Sequence, residues 1–308
     1  MSDAPTPPPT TSATGAAPVS EIFDRRQRRR QWQRTARAGA NDGALLDLLV
    51  DDLLDRLALV NRRFTRVLDL GCHDGRLAAR LAGDGVSVVT TEVAAADAAR
   101  PSLPLVVCEP DLLPFAPHSF DLVVAAGSLH WVNDLPGALA QIRHVLVPDG
   151  LFLATFPGGA SLAELRHALL AAEEDVTGGA APRVSPMVDM REGGALLQRA
   201  GFAMPVADCD RLTLTYAHPM ALLAELRAMG ETNALAQRAR RPLRRDVLAQ
   251  ACALYAERFG LPDGRVAATL EVVTLMGWAP GPNQPVPKRP GSATVSLADV
   301  LEPRTPRD

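Results

Sequence analysis

From residue 66 onward the apolar and polar positions of the chain fall into two alternating rhythms. Val67, Leu68 and Leu70 form a short apolar run that stops at Gly71, as a strand covered on both faces does, and Leu77, Ala78, Ala79, Leu81 and Ala82 then recur at helical spacing. The same succession repeats downstream. Strands are expected over 86–92, 103–108 and 119–126, a helix over 135–145, a turn at Pro148-Asp149-Gly150 and a fifth strand over 151–156. Strands that alternate with helices imply a parallel sheet with right-handed crossovers, a doubly wound α/β fold.

The flanks carry weaker patterns. Leucine and valine recur at helical spacing over 43–59, ahead of the first strand. After the fifth strand, helices are expected over 162–174, 194–200, 219–228 and 245–259, and strands over 211–216 and 267–278. Two late strands paired antiparallel at one edge complete a seven-stranded, mostly parallel sheet with helical additions. The expected organisation is a disordered tail over 1–20, a helical segment over 21–60, a ligand-binding core over 61–160, the rest of the same domain with a helical lid over 161–280, and a proline-rich tail over 281–308.

Composition narrows the classes. With 308 residues, 47% of them hydrophobic and 22% charged, the chain can bury one large core plus an appendage. A formal net charge of -3 argues against nucleic acid as the partner. The local exception is the run Arg25, Arg26, Arg28, Arg29, Arg30, Arg34 and Arg37, with Phe23 and Trp32 as apolar anchors. It is either an RNA-binding arm or a solvated helix flanking the active site, and the overall acidity favours the helix. The 4 cysteines form no C-x-x-C pair and have no histidine at metal-ligand spacing, which fits a reduced compartment. No apolar run is long enough for a transmembrane segment and no secretory signal is evident, so a cytoplasmic location is expected.

The candidate chemistry gathers at the carboxyl ends of the strands, where open α/β sheets bind ligands. Gly71 and Gly75 allow the chain to turn tightly beside a ligand, with Cys72 and His73 between them and Asp69 ending the strand. A strand–turn–helix of any function also needs such glycines. Glu92 ends the second strand about 20 residues on, the spacing at which a carboxylate accepts from both hydroxyls of a ribose; an exposed strand-end glutamate is the plain alternative. Glu109 and Asp111, ahead of Leu112-Leu113-Pro114-Phe115, suggest acceptors for an adenine amino group with apolar residues packing the ring, Glu109 before Asp111; a polar loop that touches nothing is the plain alternative. Asp121 opens its strand at the opposite edge, which suits a local hydrogen-bonding role. Gly127 starts the loop after the fourth strand, and this loop carries His130 and Trp131.

Taken together, Asp69-x-Gly71-Cys72-x-x-Gly75, the acid ending the second strand, the acid before Leu113-Pro114-Phe115, the Ser119–Val123 run and Pro148-Asp149-Gly150 resemble class I S-adenosylmethionine-dependent methyltransferases over residues 60–160. This resemblance implies a Rossmann-like methyltransferase sheet, S-adenosyl-L-methionine as cofactor, and a protein or small-molecule acceptor. His73 stands where that family commonly has another glycine, and a side chain there narrows the approach of the methionine portion. A second, more extensive resemblance is carried by Ile22-Phe23-Asp24-Arg25, the run from Ser128 to Pro136, Arg183-Val184-Ser185-Pro186, Arg199-Ala200-Gly201-Phe202, Met229-Gly230-Glu231-Thr232-Asn233, Gly277-Trp278 and the run from Gly291 to Ser296. These are similar to the respiratory complex I assembly factor 5 family, which keeps the methyltransferase fold. It implies a peptidyl-arginine hydroxylase or an assembly factor acting on a complex I subunit.

Methyl transfer depends mainly on alignment in a site that excludes water. Where the acceptor must lose a proton, His130 is the expected base; alternatively His130 and Trp131 only close the pocket by packing. Glu231 and Asn233 reach the substrate or stabilise the turn after Gly230. For oxygen chemistry, none of the 6 histidines has an Asp or Glu two positions later, so no metal site is expected on one strand.

Overall fold

The computed structural model describes residues 21–38, 43–95, 103–282, 284–285, 291–292 and 294–296. The expected tail over 1–20 lies outside them, as does most of the tail beyond 285; residues 294–296 carry no strand. A seven-stranded sheet runs in the order β3-β2-β1-β4-β5-β7-β6. The strands are β1 (Arg66–Leu70), β2 (Ser87–Glu92), β3 (Leu105–Val107), β4 (Phe120–Ala126), β5 (Leu146–Pro157), β6 (Ala203–Tyr216) and β7 (Val266–Trp278). The first five are parallel, and β7 is antiparallel to both β5 and β6. This is the expected α/β architecture.

Eight α-helices cover the described chain: α1 (Arg25–Ala38), α2 (Ala44–Ala58), α3 (Arg76–Leu81), α4 (Leu135–Val145), α5 (Ala163–Thr177), α6 (Met190–Arg199), α7 (Pro219–Ala228) and α8 (Arg245–Phe259). Every residue of β4 is buried, because helices cover both of its faces. One core joins α4 and α6 to the sheet through Leu139, Ile142, Phe152 and Leu197; another joins α2 and α3 through Val50, Leu53 and Leu77. A third, around Leu169, Leu222 and Tyr255, packs α5, α7 and α8 beyond the sheet's far end.

Several boundaries differ from expectation for identifiable reasons. β5 begins at Leu146 rather than 151, because Phe120 pairs with Leu146 and Leu122 with Leu151, leaving Pro148-Asp149-Gly150 looped out within the ladder. Asp149 there has φ 60. β6 begins at Ala203 rather than 211; its first half alternates exposed and partly buried residues on an edge strand, where polar side chains are tolerated. α6 begins four residues early at Met190 because Asp189 and Glu192 form a capping box. Asp121 lies at the sheet edge away from the ligand side, and its carboxylate accepts from the backbone N–H groups of Thr65 (2.9 Å) and Arg66 (2.9 Å), stitching β4 to the start of β1.

Candidate cofactor cleft and active site

The carboxyl ends of β1, β2 and β4 meet at a cleft of about 510 Å³ whose walls include Gly71, His73, Glu92, Glu109, Ser128 and Trp131. Gly71 has φ +75, and a Cβ on it would stand 2.4 Å from Ser128 Cβ, so only glycine lets the two loops close together. Ser128 Oγ then donates to the Leu70 carbonyl at 2.7 Å. Glu92 is buried, and its carboxylate accepts from the backbone N–H groups of His73 (3.1 Å) and Val93 (2.9 Å), one on each oxygen. Each oxygen keeps a second lone-pair direction for a hydroxyl donor, and a rigid carboxylate on the cleft wall suits a diol.

Other sequence candidates fall elsewhere. Asp69 is 1% exposed, does not line this cleft, and neither of its carboxyl oxygens makes a formed hydrogen bond. Burial raises its pKa to about 7, the charge of Glu92 adds to the effect, and the backbone N–H of Ala78 offsets it only in part. Cys72 is buried, and Gly75 serves as the N-cap of α3. Leu112 is 64% exposed and lies off the cleft wall, which corrects its place among residues packing a ligand.

Helix α1 caps the cleft through pairings that its composition does not announce. Arg25 binds Asp111 with two parallel hydrogen bonds of 2.8 Å, and Arg29 Nε donates to Glu109 at 3.0 Å. The two acids expected to be free acceptors therefore hold arginines, and Asp111 is absent from the cleft wall. The expectation of a solvated helix is corrected accordingly: one face, carrying Arg25, Arg28 and Trp32, is turned inward, with Trp32 and Gln31 buried and Arg29 exposed at its rim. Charge density hides this face, but the spacing 25, 28, 29 and 32 is that of a single helical stripe. Arg25→Ala is expected to lower stability by about 1–2 kcal/mol, because it leaves Asp111 buried without its partner, and Asp111→Ala made in addition should recover part of the loss. Urea unfolding of the two variants checks this.

His73 also lines a neighbouring passage, together with Gly127, His130 and Glu231. His73 adopts φ 52, and its Nε2 donates to the Ala126 carbonyl at 3.1 Å, with the side chain lining both cleft and passage. His130 Nε2 lies 2.9 Å from Glu231 Oε2, and Trp131 Nε1 donates to the same carboxylate at 2.8 Å. Because Glu231 accepts, His130 carries its proton on Nε2; Nδ1 is buried without a partner. Burial opposes the charge on Glu231, but His130 and Arg28 outweigh it and hold its carboxyl at about 2. Arg28 completes the cluster. Its guanidinium sits 3.9 Å above the Trp131 ring, donates to the Gly230 carbonyl at 2.9 Å and approaches Glu231 at 3.8 Å. Burial lowers the pKa of Arg28, an effect that Glu231 opposes.

Much of the run from Ser128 to Pro136 turns out to brace this cluster. Asn133 exchanges two hydrogen bonds with the backbone of Phe23, at 2.7 and 3.1 Å, and Phe23 stacks edge-on against Trp131. Asp134 caps α4. Asn233 donates to the Pro182 carbonyl and accepts from Leu235 N–H, so it holds the turn after Gly230, while Glu231 faces the passage. Among the described residues, no group of three His, Cys, Asp or Glu side chains is arranged to hold a metal ion, and no helix is long and apolar enough to cross a membrane.

Residues 68–154 match the family described as Methyltransferase domain. Across 77% of this chain and 98% of the other, the fold is similar to that of the YcgJ protein from Bacillus subtilis, with a TM-score of 0.51 at 16% identity. Malonyl-[acyl-carrier protein] O-methyltransferase of Halorhodospira halophila is 34% identical over 273 residues, 85% of this chain and 90% of its own. Arginine-hydroxylase NDUFAF5, mitochondrial, of Danio rerio is 36% identical over 287 residues, covering 91% of this chain and 89% of that one. The NDUFAF5 relatives are mitochondrial proteins, which overturns the expected cytoplasmic location. With identity sustained over nearly the whole length of both chains, this chain belongs to the methyltransferase-fold family of the NDUFAF5 proteins.

Proposed function

We propose that the chain binds S-adenosyl-L-methionine in the cleft between the Gly71 turn and Glu92 and acts as a methyltransferase on an acceptor presented at His130 and Glu231. The observation that carries this reading is a shared wall: Gly71, Glu92 and His73 line one cleft, and His73 also lines a passage walled by His130 and Glu231. The residues fit the cofactor. Glu92 offers acceptors to the ribose hydroxyls, the Gly71 main chain is open to close approach, and Asp69 is a buried carboxyl without a hydrogen bond near the same strand ends. The bound cofactor supplies an electrophilic methyl group on a sulfonium. Where the acceptor must lose a proton, His130 is assigned as the base, its Nε2 held against Glu231 at 2.9 Å. Trp131 and α1 exclude water.

A second reading has its own support. Trp131, Glu231 and the Gly230 carbonyl already hold one guanidinium, that of Arg28, which is how an arginine side chain from a target protein would be gripped. The relatives named arginine hydroxylases make an arginine side chain of a target protein the natural substrate to try. Incubating purified protein with methyl-labelled cofactor and cell extract separates the two. Label in a product supports transfer; no label, with an added oxygen mass on an arginine peptide, supports hydroxylation. Glu92→Ala is expected to weaken cofactor binding about 10–100-fold by calorimetry, the value of one or two charge-assisted hydrogen bonds, and unchanged affinity sinks the assigned site.

A further inference from the structure

Helix α1 carries two sets of arginines. Arg25 and Arg28 turn inward to Asp111 and Glu231, whereas Arg26, Arg30, Arg34 and Arg37 recur at steps of four, four and three along the other side and are exposed. Among the described residues no acid pairs with any of these four, although Arg29 at the rim is paired with Glu109. The helix holds no acid of its own. Arginines stacked at i, i+4 repel one another, and cations at a helix's amino-terminal end oppose its dipole, so the free protein carries this row at a cost to its stability. The inward hydrogen bonds of Arg25 and Arg28 pin the helix and keep the row in solvent.

A second basic segment joins the row. The bridge between Phe23 and Leu235 and the Arg238–Asp24 ion pair at 3.0 Å hold the loop after Leu235 against the start of α1. The Gln27 N–H, then Arg238 and Arg240, keep the Asp24 carboxyl below its usual range against burial, which places Arg240 beside the start of the helix. Arg240 and Arg241 are both exposed. The chain's own ends offer no counter-charge: Asp3 is the single acid of residues 1–20, and past residue 285 Lys288, Arg289, Arg304 and Arg307 outnumber Asp299, Glu302 and Asp308.

We propose that the outer row of α1, extended by Arg240 and Arg241, docks an acidic segment of a partner protein, with carboxylates recurring at helical spacing to meet the arginines. The row is one helix wide and about 16 Å long, at 1.5 Å per residue, which matches the acidic face of a helix of similar length better than the broad face of a duplex or bilayer. Guanidinium forks suit carboxylates. Among the described residues no Phe, Tyr or Trp is exposed, so a single-stranded nucleic acid finds no ring to stack on. Phe23 and Trp32 are buried, so α1 has no apolar face to insert into a bilayer. Because Arg25 and Arg28 of the same helix line the cleft, a partner on the outer face sits within a helix diameter, about 10 Å, of it. This surface is independent of which reaction the cleft performs.

Fluorescence anisotropy on the full chain tests the docking with a labelled four-turn helical peptide bearing glutamate at every third or fourth position, the same peptide with glutamine instead, and single-stranded RNA and duplex DNA of similar length. Sedimentation with phosphatidylcholine vesicles containing phosphatidylserine covers the bilayer. The glutamate peptide is expected to bind, to weaken as salt rises, and to bind at least ~10-fold more weakly to Arg30→Glu/Arg34→Glu, since each reversal removes an ion pair and adds a repulsion. Arg191→Glu/Arg199→Glu changes the net charge equally at exposed positions of α6, which packs against β6, β7 and α4, and should bind like wild type. In urea the α1 variant should be no less stable than wild type, because repulsions with Arg26 and Arg37 become attractions. Arg30→Gln/Arg34→Gln takes its place should it not fold. No binding of the glutamate peptide, equal binding of the glutamine peptide, a folded α1 variant of unchanged affinity, or an equal loss in the α6 variant would each overturn the proposal. RNA, DNA or vesicles held more tightly than the glutamate peptide, with the α1 arginines required, would overturn the acidic-protein assignment in favour of nucleic acid or membrane.

Discussion

Glu231→Ala is expected to destabilise the protein by about 2–4 kcal/mol and to abolish turnover, a larger effect on the fold than removing any one of its partners. The carboxylate satisfies three groups at once: His130 Nε2 at 2.9 Å, Trp131 Nε1 at 2.8 Å and the Arg28 guanidinium at 3.8 Å. Truncation leaves Arg28 charged, with its side chain 14% exposed, beside two unpartnered N–H groups. Because the folded carboxyl titrates at about 2 against an ordinary 4.5, its contribution is fully present above pH 4.5 and lost as pH falls through 2. Wild type and variant should therefore converge as pH falls from 4.5 towards 2. Arg28→Met made on top of Glu231→Ala removes the stranded charge and should recover more than 1 kcal/mol, roughly the reported scale of coupling between contacting residues. Additive losses in urea unfolding would show that Arg28 and Glu231 do not act as a pair.

The fold was legible where burial on both faces made the pattern unambiguous. β1 and β4 are apolar runs because helices cover them on each side, and α7 and α8 have the bounds that their spacing and the leading Pro219 indicate. Legibility fell at the edge, where β6 alternates residues such as Asp208 and Asp210 with partly buried ones and so lacks a strong period. At the site, Gly71, Glu92 and the loop bearing His130 follow from strand order alone, since ligands gather at the carboxyl edge. The pairing of His130 with Glu231, 101 positions apart, has no local signature and exists only once α7 is docked against the sheet's end. The same holds for α1. Its arginines look like a solvated charge run because their partners, Glu109, Asp111 and Glu231, are 80 or more residues away.

Asp69 supplies the second large effect, and its sign is opposite. Its folded pKa is raised from 3.8 to about 7, so the folded state prefers the neutral carboxyl; the group's stabilising contribution is complete below pH 4 and disappears as pH climbs through 7. At pH 8 the raised pKa takes roughly 4 kcal/mol from the folding stability the protein has in acid, the product of the shift and ~1.4 kcal/mol per unit. Asp69→Asn removes the charge at nearly constant volume. Its amide adds donors to a place that has no formed hydrogen bond, so the net gain at pH 8 should be smaller, about 2–3 kcal/mol, shrinking to zero or reversing near pH 5. Urea midpoints from pH 5 to pH 8 for both proteins read this directly: the wild type should lose stability across the range while the variant stays level. Parallel curves would mean that Asp69 is ionised and stabilised in the free protein, and its place as a carboxyl held without a partner would be wrong. A carboxyl kept under such strain at the end of β1, within the electrostatic reach of Glu92, is retained in the sequence at a cost to the free fold. That cost is explained if a cation entering the neighbouring cleft relieves it, so S-adenosylmethionine should stabilise the wild type more at pH 8 than at pH 5 and Asp69→Asn about equally at both.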